Sequence, residues 1–391
     1  MQKKLIAVAI AGMAAAPAFA QTSNITIYGR ANLGFGTYSA TGAAAGSAHD
    51  FNTRNRVYDA GSRLGFRGTE NLGNGLKARF QVESGVNMDT GSNLGQSGSV
   101  NANTGYLGGR VSYLGLQGGF GEVRAGRQNV HWTEGRISDI SSTRFGFDAP
   151  ISTGSGGMVG GPTHRASNVL MYLSPKYSGF DARLAYLAAG ETAVAGADVT
   201  GKGWSLNLNY NNGPIAVKYD YTTITAQNGV VAPAAGTRVN SGHKLGIAYY
   251  YQGKSKVGLT LNRNKHENSS AIGTIVTAGD DLTQSSWVLN WEHFFGNFQS
   301  IVSYGEAAAV NGMTGVTADP GETKFKQFVL GGVYRFSKRT HMYVAYTEIV
   351  NGQQQWADFT SASMTAVPGN LASTSAGADP RIVAIGMMHN F

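Results

Sequence analysis

The chain has 391 residues, a formal net charge of +8, 55 glycines, 9 prolines, 18 tyrosines, 17 phenylalanines and no cysteine. Without cysteine it is neither a disulfide-stapled scaffold nor a thiolate metal centre. Glycine at about twice its usual share, with little proline and many aromatics, favours strands and turns over helices or disorder; the basic excess suits anionic solutes, anionic lipid or nucleic acid.

The first segment, MQKKLIAVAIAGMAAAPAFA, places Lys3 and Lys4 before an apolar run from Leu5 to Ala16 and ends on the small-x-small triplet Ala18–Phe19–Ala20. This is the pattern of a secretory signal peptide over 1–20, with cleavage after Ala20 and a single β-barrel domain over 21–391. The run is too short to span a bilayer, and no other stretch approaches the ~18 apolar residues a spanning helix needs. Export argues against nucleic acid as a partner.

Beyond the leader, alternation with period 2 recurs. NITIYGRANLGFG sets Ile25, Ile27, Ala31, Leu33 and Phe35 against Thr26, Tyr28, Arg30 and Asn32. SRLGFRGTE sets Leu64 and Phe66 against Arg63 and Arg67, and GLKARFQVES sets Leu76, Ala78, Phe80 and Val82 against Lys77, Arg79, Gln81 and Glu83. Such alternation means a sheet with one apolar and one wet face. Further strands are expected near 110–117, 121–127, 166–173, 179–187, 203–211, 214–222, 242–251, 256–263, 284–294, 298–305, 325–336, 340–348 and 381–391, sixteen in all. The last, RIVAIGMMHNF, puts Val383, Ile385, Met387, His389 and Phe391 on one face.

The connections alternate short and long. ENLGNG, QGGF, SPKYS, NNGP, QGKS, FGN and SK are tight; the segments near 37–60, 86–105, 128–165, 188–202, 223–241, 264–283, 306–323 and 349–380 are long and rich in Ala, Gly, Ser, Thr and Asn. Sorting of this kind fits an all-β, sixteen-stranded antiparallel transmembrane barrel with short periplasmic turns and long external loops. In hydrocarbon every N–H and C=O needs a partner, so the sheet closes and the final strand pairs with the first. Sixteen strands leave a water-filled interior. Tyr172, Tyr210, Trp287, Trp291, Tyr334 and Tyr346 suit interfacial aromatic girdles.

The blocks ITIYGRANLG, SRLGFRGTENLGNGLKARFQVESG, YLGLQGGFGEVRAGRQ, YLSPKYSGF, YRFSKRTHMYVAYTE and GMMHNF, in order along the chain, resemble the general diffusion porins of Gram-negative bacteria, of the betaproteobacterial type. The resemblance implies a homotrimer in the cell outer membrane, passive transport of small hydrophilic solutes, contact with outer-membrane lipid and lipopolysaccharide, and a third external loop folded into the lumen. It also implies that Phe391, with His389 and Met387 behind it, belongs to the signal read by the outer-membrane assembly machinery. No cofactor, metal or catalytic residue is implied. One departure is Asn32, where the family often carries an acidic residue.

Function is then expected on the wet face. By parity, Arg30, Arg63, Arg67, Lys77, Arg79, Arg124, Arg165, Arg183, Lys218, Lys244 and Arg335 point inward, against Glu83, Glu122, Asp181, Asp220 and Glu292; Arg110 and Arg127 have ambiguous parity. Rings of Arg and Lys in a low-dielectric wall favour anions. The expected constriction has Arg30, Arg63, Arg79, Arg124 and Arg165 on the wall, faced by Glu134, Asp139 and Asp148 from the third loop, QNVHWTEGRISDISSTRFGFDAPISTGSGGMVGGPTHR. His131 and Glu134 in HWTE are two ligands without a third. GFGEVRAG joins two strands and opens no helix, so it fails as a phosphate cradle. The rival readings are a substrate-specific channel for phosphate, an organic acid or a sugar, the last favoured if Tyr28, Tyr113, Tyr250 and Tyr343 form a ladder; more remotely, a barrel enzyme or an adhesin.

Overall fold

A computed structural model of the protein describes residues 24–43, 50–89, 107–130, 137, 149–151, 157–162, 165–188, 202–226, 238–269, 271–359 and 376–391. The strand segments are β1 (Asn24–Thr41), β2 (Phe51–Asp59), β3 (Arg63–Gly73), β4 (Leu76–Gly85), β5 (Ser112–Gly118), β6 (Gly121–Asn129), β7 (Arg165–Leu173), β8 (Phe180–Leu187), β9 (Gly203–Asn212), β10 (Ile215–Ala226), β11 (Arg238–Tyr251), β12 (Ser255–Glu267), β13 (Leu282–Phe295), β14 (Phe298–Ala307), β15 (Phe325–Arg335), β16 (Thr340–Asn351) and β17 (Asp379–Asn390). Apart from β2 and β3, which do not pair with each other, all pair antiparallel with their chain neighbours in one sheet, which closes through β1 and β17.

The seventeen segments fill sixteen wall positions because β2 and β3 both pair with β1 and are halves of one interrupted strand. Between them Ala60, Gly61 and Ser62 stand opposite only Ala31 and Asn32. Gly61 takes the left-handed conformation (φ +88°) that a bulge demands. Asp59 Oδ1 accepts from the Gly61 and Ser62 amides, both at 2.8 Å, and the Asn32 amide donates to Ser62 Oγ at 2.9 Å.

The expected connection over 37–60 is thus corrected. Thr37–Thr41 extend β1, and β2 occupies Phe51–Asp59. This region lies towards the external end, where Thr53, Arg54 and Asn55 are all exposed. With both faces wet, the apolar–polar alternation that betrays a strand is lost. The other expected strands stand where the periodicity puts them, β10, β11, β12, β13 and β16 running further outward than expected.

Each strand presents its apolar face outward. Leu114, Leu170, Tyr249, Leu289, Leu330, Val344, Val383 and Ile385 are exposed large hydrophobics on the outer surface, whereas their neighbours in sequence are turned inward. In water such a surface would be a liability; against lipid it is the solvated face. All six expected girdle aromatics have outward parity, and four sit in aromatic pairs, Phe180–Tyr210 with centroids 4.3 Å apart, Tyr334–Phe336 at 5.1 Å, Trp291–His293 at 5.6 Å and Trp287–Tyr304 at 5.7 Å. No helix among the described residues is long and apolar enough to cross a membrane; the crossing is made by strands.

Closure runs from Arg30↔Asn390 to Thr41↔Asp379, and is completed by Gly29 and Phe391, whose amides donate to each other's carbonyls at 3.0 and 3.1 Å. Gly29 is needed here. A Cβ at this position would overlap the Phe391 ring, so the glycine is the seat over which the last aromatic lies. A Gly29→Val substitution is expected to displace that ring and to cost about 1–3 kcal/mol, read as a lower temperature of conversion from folded to unfolded mobility on gels; unchanged conversion would show that the seat carries no weight.

Candidate functional site

Of the third long connection, Gln128 to Arg165, the described residues Ile137, 149–151 and 157–160 lie on the inner wall of β10–β15. Ile137 packs with Ala216, Ala248 and Tyr250. The short 3-10 turn Ala149–Ile151 touches β12–β15. Lumen-facing side chains hold the loop by its backbone. Lys244 Nζ donates to the Ile151 carbonyl at 2.8 Å and Asn264 Nδ2 to the Val159 carbonyl at 3.1 Å. His266 Nε2 meets the Gly160 carbonyl at 2.8 Å, and the Ser286 hydroxyl bonds to the Pro150 carbonyl. Gln355, from the last connection, takes the Met158 amide at 2.9 Å and donates to the Thr323 carbonyl at 2.7 Å, tying three connections together.

Lys244 is therefore not a charge that meets water in the pore. Its parity is inward, but it is fully buried and serves as a peg for the loop. Arg335 is also engaged, donating to Gln299 Oε1 at 2.7 Å and lying over the Phe294 ring at 4.7 Å.

The opposite wall carries the charge. Arg30 on β1, Arg63 and Arg67 on β3, Lys77 and Arg79 on β4 and Arg124 on β6 share the inner face, as the register shows: Arg30↔Arg63, Arg67↔Gln81, Lys77↔Gln117 and Arg124↔Gly115. Of the two arginines of ambiguous parity, Arg110 joins them through Glu83. Arg110, just before β5, pairs with Glu83 at 2.8 Å, and Arg127 donates to the Gly109 carbonyl at 2.9 Å and to Ser167 Oγ at 2.7 Å. Arg165, donating to Asn129 Oδ1 at 3.1 Å, lies within electrostatic reach of Arg63, Arg110, Arg127 and Glu83. Sequence reasoning left Arg110 and Arg127 open because one precedes its strand and the other sits at the Gly126/Gln128 bulge, where alternation breaks.

Two carboxylates on this face hold the wall in order. Glu83 faces Arg63 at 3.7 Å and Arg110 at 2.8 Å, and accepts from the Tyr28 hydroxyl at 3.1 Å. Glu122 accepts from Arg79 at 2.7 Å and from Arg124 at 2.7 and 3.0 Å. The side chains of Glu83 and Glu122 are 8% and 6% exposed, against 22% for Arg63, 32% for Arg79, 18% for Arg110 and 19% for Arg124. Water in the lumen therefore meets guanidinium groups, with the carboxylates beneath them. Tyr28 and Tyr113 belong to this scaffold, and Tyr250 packs with Ile137 on the opposite wall. Arg67 lies over Tyr28 at 4.9 Å and Arg124 over Tyr113 at 4.3 Å, while the Tyr343 hydroxyl donates to Asn32 Oδ1 at 3.1 Å.

Arg183 on β8 and Lys218 on β10 keep inward parity, opposite Asn207 and Asn209 of β9, further round the barrel from the arginine wall. Glu134, Asp139 and Asp148 lie outside the described residues, as does His131. Outside the membrane span, Asp280 knits two external connections by accepting from Thr314 Oγ1 at 2.6 Å and from the Thr314 and Thr277 amides at 2.9 Å. Burial works to raise its pKa, but the three hydrogen bonds outweigh it and hold the carboxyl below its ordinary value.

A closed antiparallel barrel with a lipid-facing apolar exterior, a charged interior and an inward-folded loop defines an outer-membrane channel protein. Residues 7–354 match the Gram-negative porin family, and the chain belongs to it. An outer membrane porin protein of Bordetella pertussis is 30% identical over 382 residues, covering 88% of this chain and 93% of the relative. Among solved structures, the anion-selective porin from Comamonas acidovorans shares the fold with a TM-score of 0.72 at 24% identity, over 94% of this chain and all of that one. The trimer form of OmpT from Vibrio cholerae does so with a TM-score of 0.63 at 12% identity, over 94% and 99%. The protein is an outer-membrane porin, and the relatives it matches are channel proteins.

The loop placement is directly testable in a protein with no cysteine of its own. A Cβ at Gly258 would lie 3.3 Å from Ile137 Cβ, close to the ~3.5–4.5 Å that a disulfide spans. The double variant I137C/G258C is expected to cross-link on oxidation and to remain an open channel; persistent free thiols in folded protein would contradict the inward fold.

Proposed function

We propose that this porin is a passive, anion-preferring channel for small hydrophilic solutes, working as a homotrimer. The observation that carries this reading is the layering of the wall: accessible guanidinium groups of Arg63, Arg79, Arg110 and Arg124 stand over the nearly buried carboxylates of Glu83 and Glu122. Side chains held this way present a fixed positive field to a passing ion, focused by the low-dielectric barrel, and need no rearrangement as it passes. Arg30, Arg67, Lys77, Arg165, Arg183 and Lys218 extend the same field, with Glu134, Asp139 and Asp148 as its counter-charges from the loop. The anion selectivity of the Comamonas acidovorans porin and the trimer of the Vibrio cholerae one support the reading.

The same proposal covers the chain's biogenesis and surroundings. The leader over 1–20 is removed after Ala20, and Phe391, His389 and Met387 form the element that the assembly machinery reads. Outer-membrane lipid and lipopolysaccharide surround the barrel.

Selectivity is read from the zero-current potential of the refolded protein in a planar bilayer under a KCl gradient. The sign is expected to be that of an anion-preferring pore. The double variant R63Q/R165Q is expected to reduce the potential by roughly half, and Glu122→Gln to increase it. A cation-preferring sign in the unmodified protein would overturn the proposal.

A further inference from the structure

The third connection is pegged to the barrel wall through the carbonyls of Pro150, Ile151, Val159 and Gly160. One side chain of the eighth connection holds it from the external side. Gln355 is fully buried. Its Oε1 accepts from the Met158 amide at 2.9 Å and from the Trp356 amide at 3.0 Å, and its Nε2 donates to the Thr323 carbonyl at 2.7 Å.

The seventh and eighth connections build a frame behind this residue. Gly352 packs so closely on the seventh connection that a Cβ there would overlap the Glu322 carbonyl. The Gly352 and Gln354 amides donate to the Lys324 and Glu322 carbonyls, both at 2.8 Å. Asn351 fixes the other flank: its Nδ2 donates to the Ala357 carbonyl at 3.0 Å and to the Ala378 carbonyl at 2.6 Å, and its Oδ1 accepts from the Ala357 amide at 3.0 Å. Thr323 is tied in turn, its hydroxyl donating to the Pro320 carbonyl at 2.7 Å and accepting from the Val310 amide at 2.8 Å. Met158 and Val159 of the third connection share a buried apolar cluster with Val276, Leu282 and Val310, and Trp356 packs against it. Four connections thus meet in one core outside the barrel wall, and Gln355 is its polar centre.

The Met158 residue is 5% exposed, so its amide needs a partner within the protein. The Thr323 carbonyl has a second donor in Gln284 Nε2 at 3.3 Å, whereas among the described residues the Met158 amide relies on Gln355. Without that acceptor the amide gains by moving out to water, and the segment Gly157–Gly160 moves with it. We propose that Gln355 is a positioning residue for the ion path. It fixes Gly157–Gly160 against Asn264 and His266 from a frame built by the seventh and eighth connections, so the steadiness of the current is set at the external mouth as well as on the wall. The inference rests on the channel reading above and adds to it a residue remote from the arginine wall.

Bilayer recording and thiol labelling test this. Gln355→Leu keeps the bulk of the side chain and removes its polar atoms. Its time in sub-conductance states is expected to rise about tenfold, with the gel conversion temperature unchanged, because the barrel ladder is untouched. A cysteine at Met158 is expected to react about tenfold faster with a water-soluble maleimide when Gln355→Leu is present. Gln355→Glu supplies a pH readout. Its protonated carboxyl offers one donor and one acceptor as the amide does, so this variant is expected to be quiet at acid pH and noisy once ionised, whereas Gln355→Leu is noisy at both. Quiet channels and an unchanged labelling rate in Gln355→Leu would overturn the inference. So would noise that comes with a lower conversion temperature, since Gln355 would then serve the stability of the barrel. If the unmodified protein forms no channels, the porin reading fails as well; if it forms them and Gln355→Leu is equally quiet, this inference alone fails.

Discussion

In hydrocarbon a peptide group has no water to fall back on, and an unpaired N–H or C=O costs several kcal/mol. Everything else in this porin depends on how that demand is met. The ladder from β1 to β17 returns on itself, and the last two partners are Gly29 and Phe391, which exchange backbone hydrogen bonds. Because the sheet is closed, each strand has one face for lipid and one for the interior. The charge pattern and the placement of the loop are both consequences of that division.

Closure alone would leave a wide tube, and two features narrow it. On one side of the inner wall, from β10 to β15, lie the described residues of the third connection, held through their backbone carbonyls by Lys244, Asn264, His266 and Ser286. The other side, from β1 to β7, is left to the arginines. Charge has been used differently on the two sides. Lys244 is buried and anchors the loop, while the cations around Glu83 and Glu122 are held in place and still meet water. A buried carboxylate with two arginine partners orders both of them, and ordered charge makes a directional field.

Much of this was legible in the sequence because period 2 is a strict code where a membrane enforces it. Arg63, Arg67, Lys77, Arg79 and Arg124 could be placed in the lumen from parity alone, as could the outward girdle of Trp287, Trp291 and Tyr334. The code fails where the constraint lapses. β2 was missed because above the apolar slab both its faces are wet. Arg110 and Arg127 were left open because one lies before its strand and the other at a bulge. Lys244 was read correctly as inward, but its burial under the loop was not legible, since parity says where a side chain points and nothing of what covers it. The pegs His266, Asn264 and Gln355 carry no local signal, as their partners are backbone carbonyls and amides distant in the chain.

The central claim is that adjacent faces of one strand meet water and lipid, and that the water face at the arginine wall is the ion path. Gln81 lies on that face in register with Tyr113, and Leu114, the next residue to Tyr113, is 67% exposed on the outer surface. Single cysteines at Gln81 and at Leu114, recorded in a bilayer while an anionic, water-soluble thiol reagent is added, separate the two faces. The account predicts a stepwise fall in anion current for Gln81→Cys and silence for Leu114→Cys. Silence at Gln81, or a current change at Leu114, would contradict it.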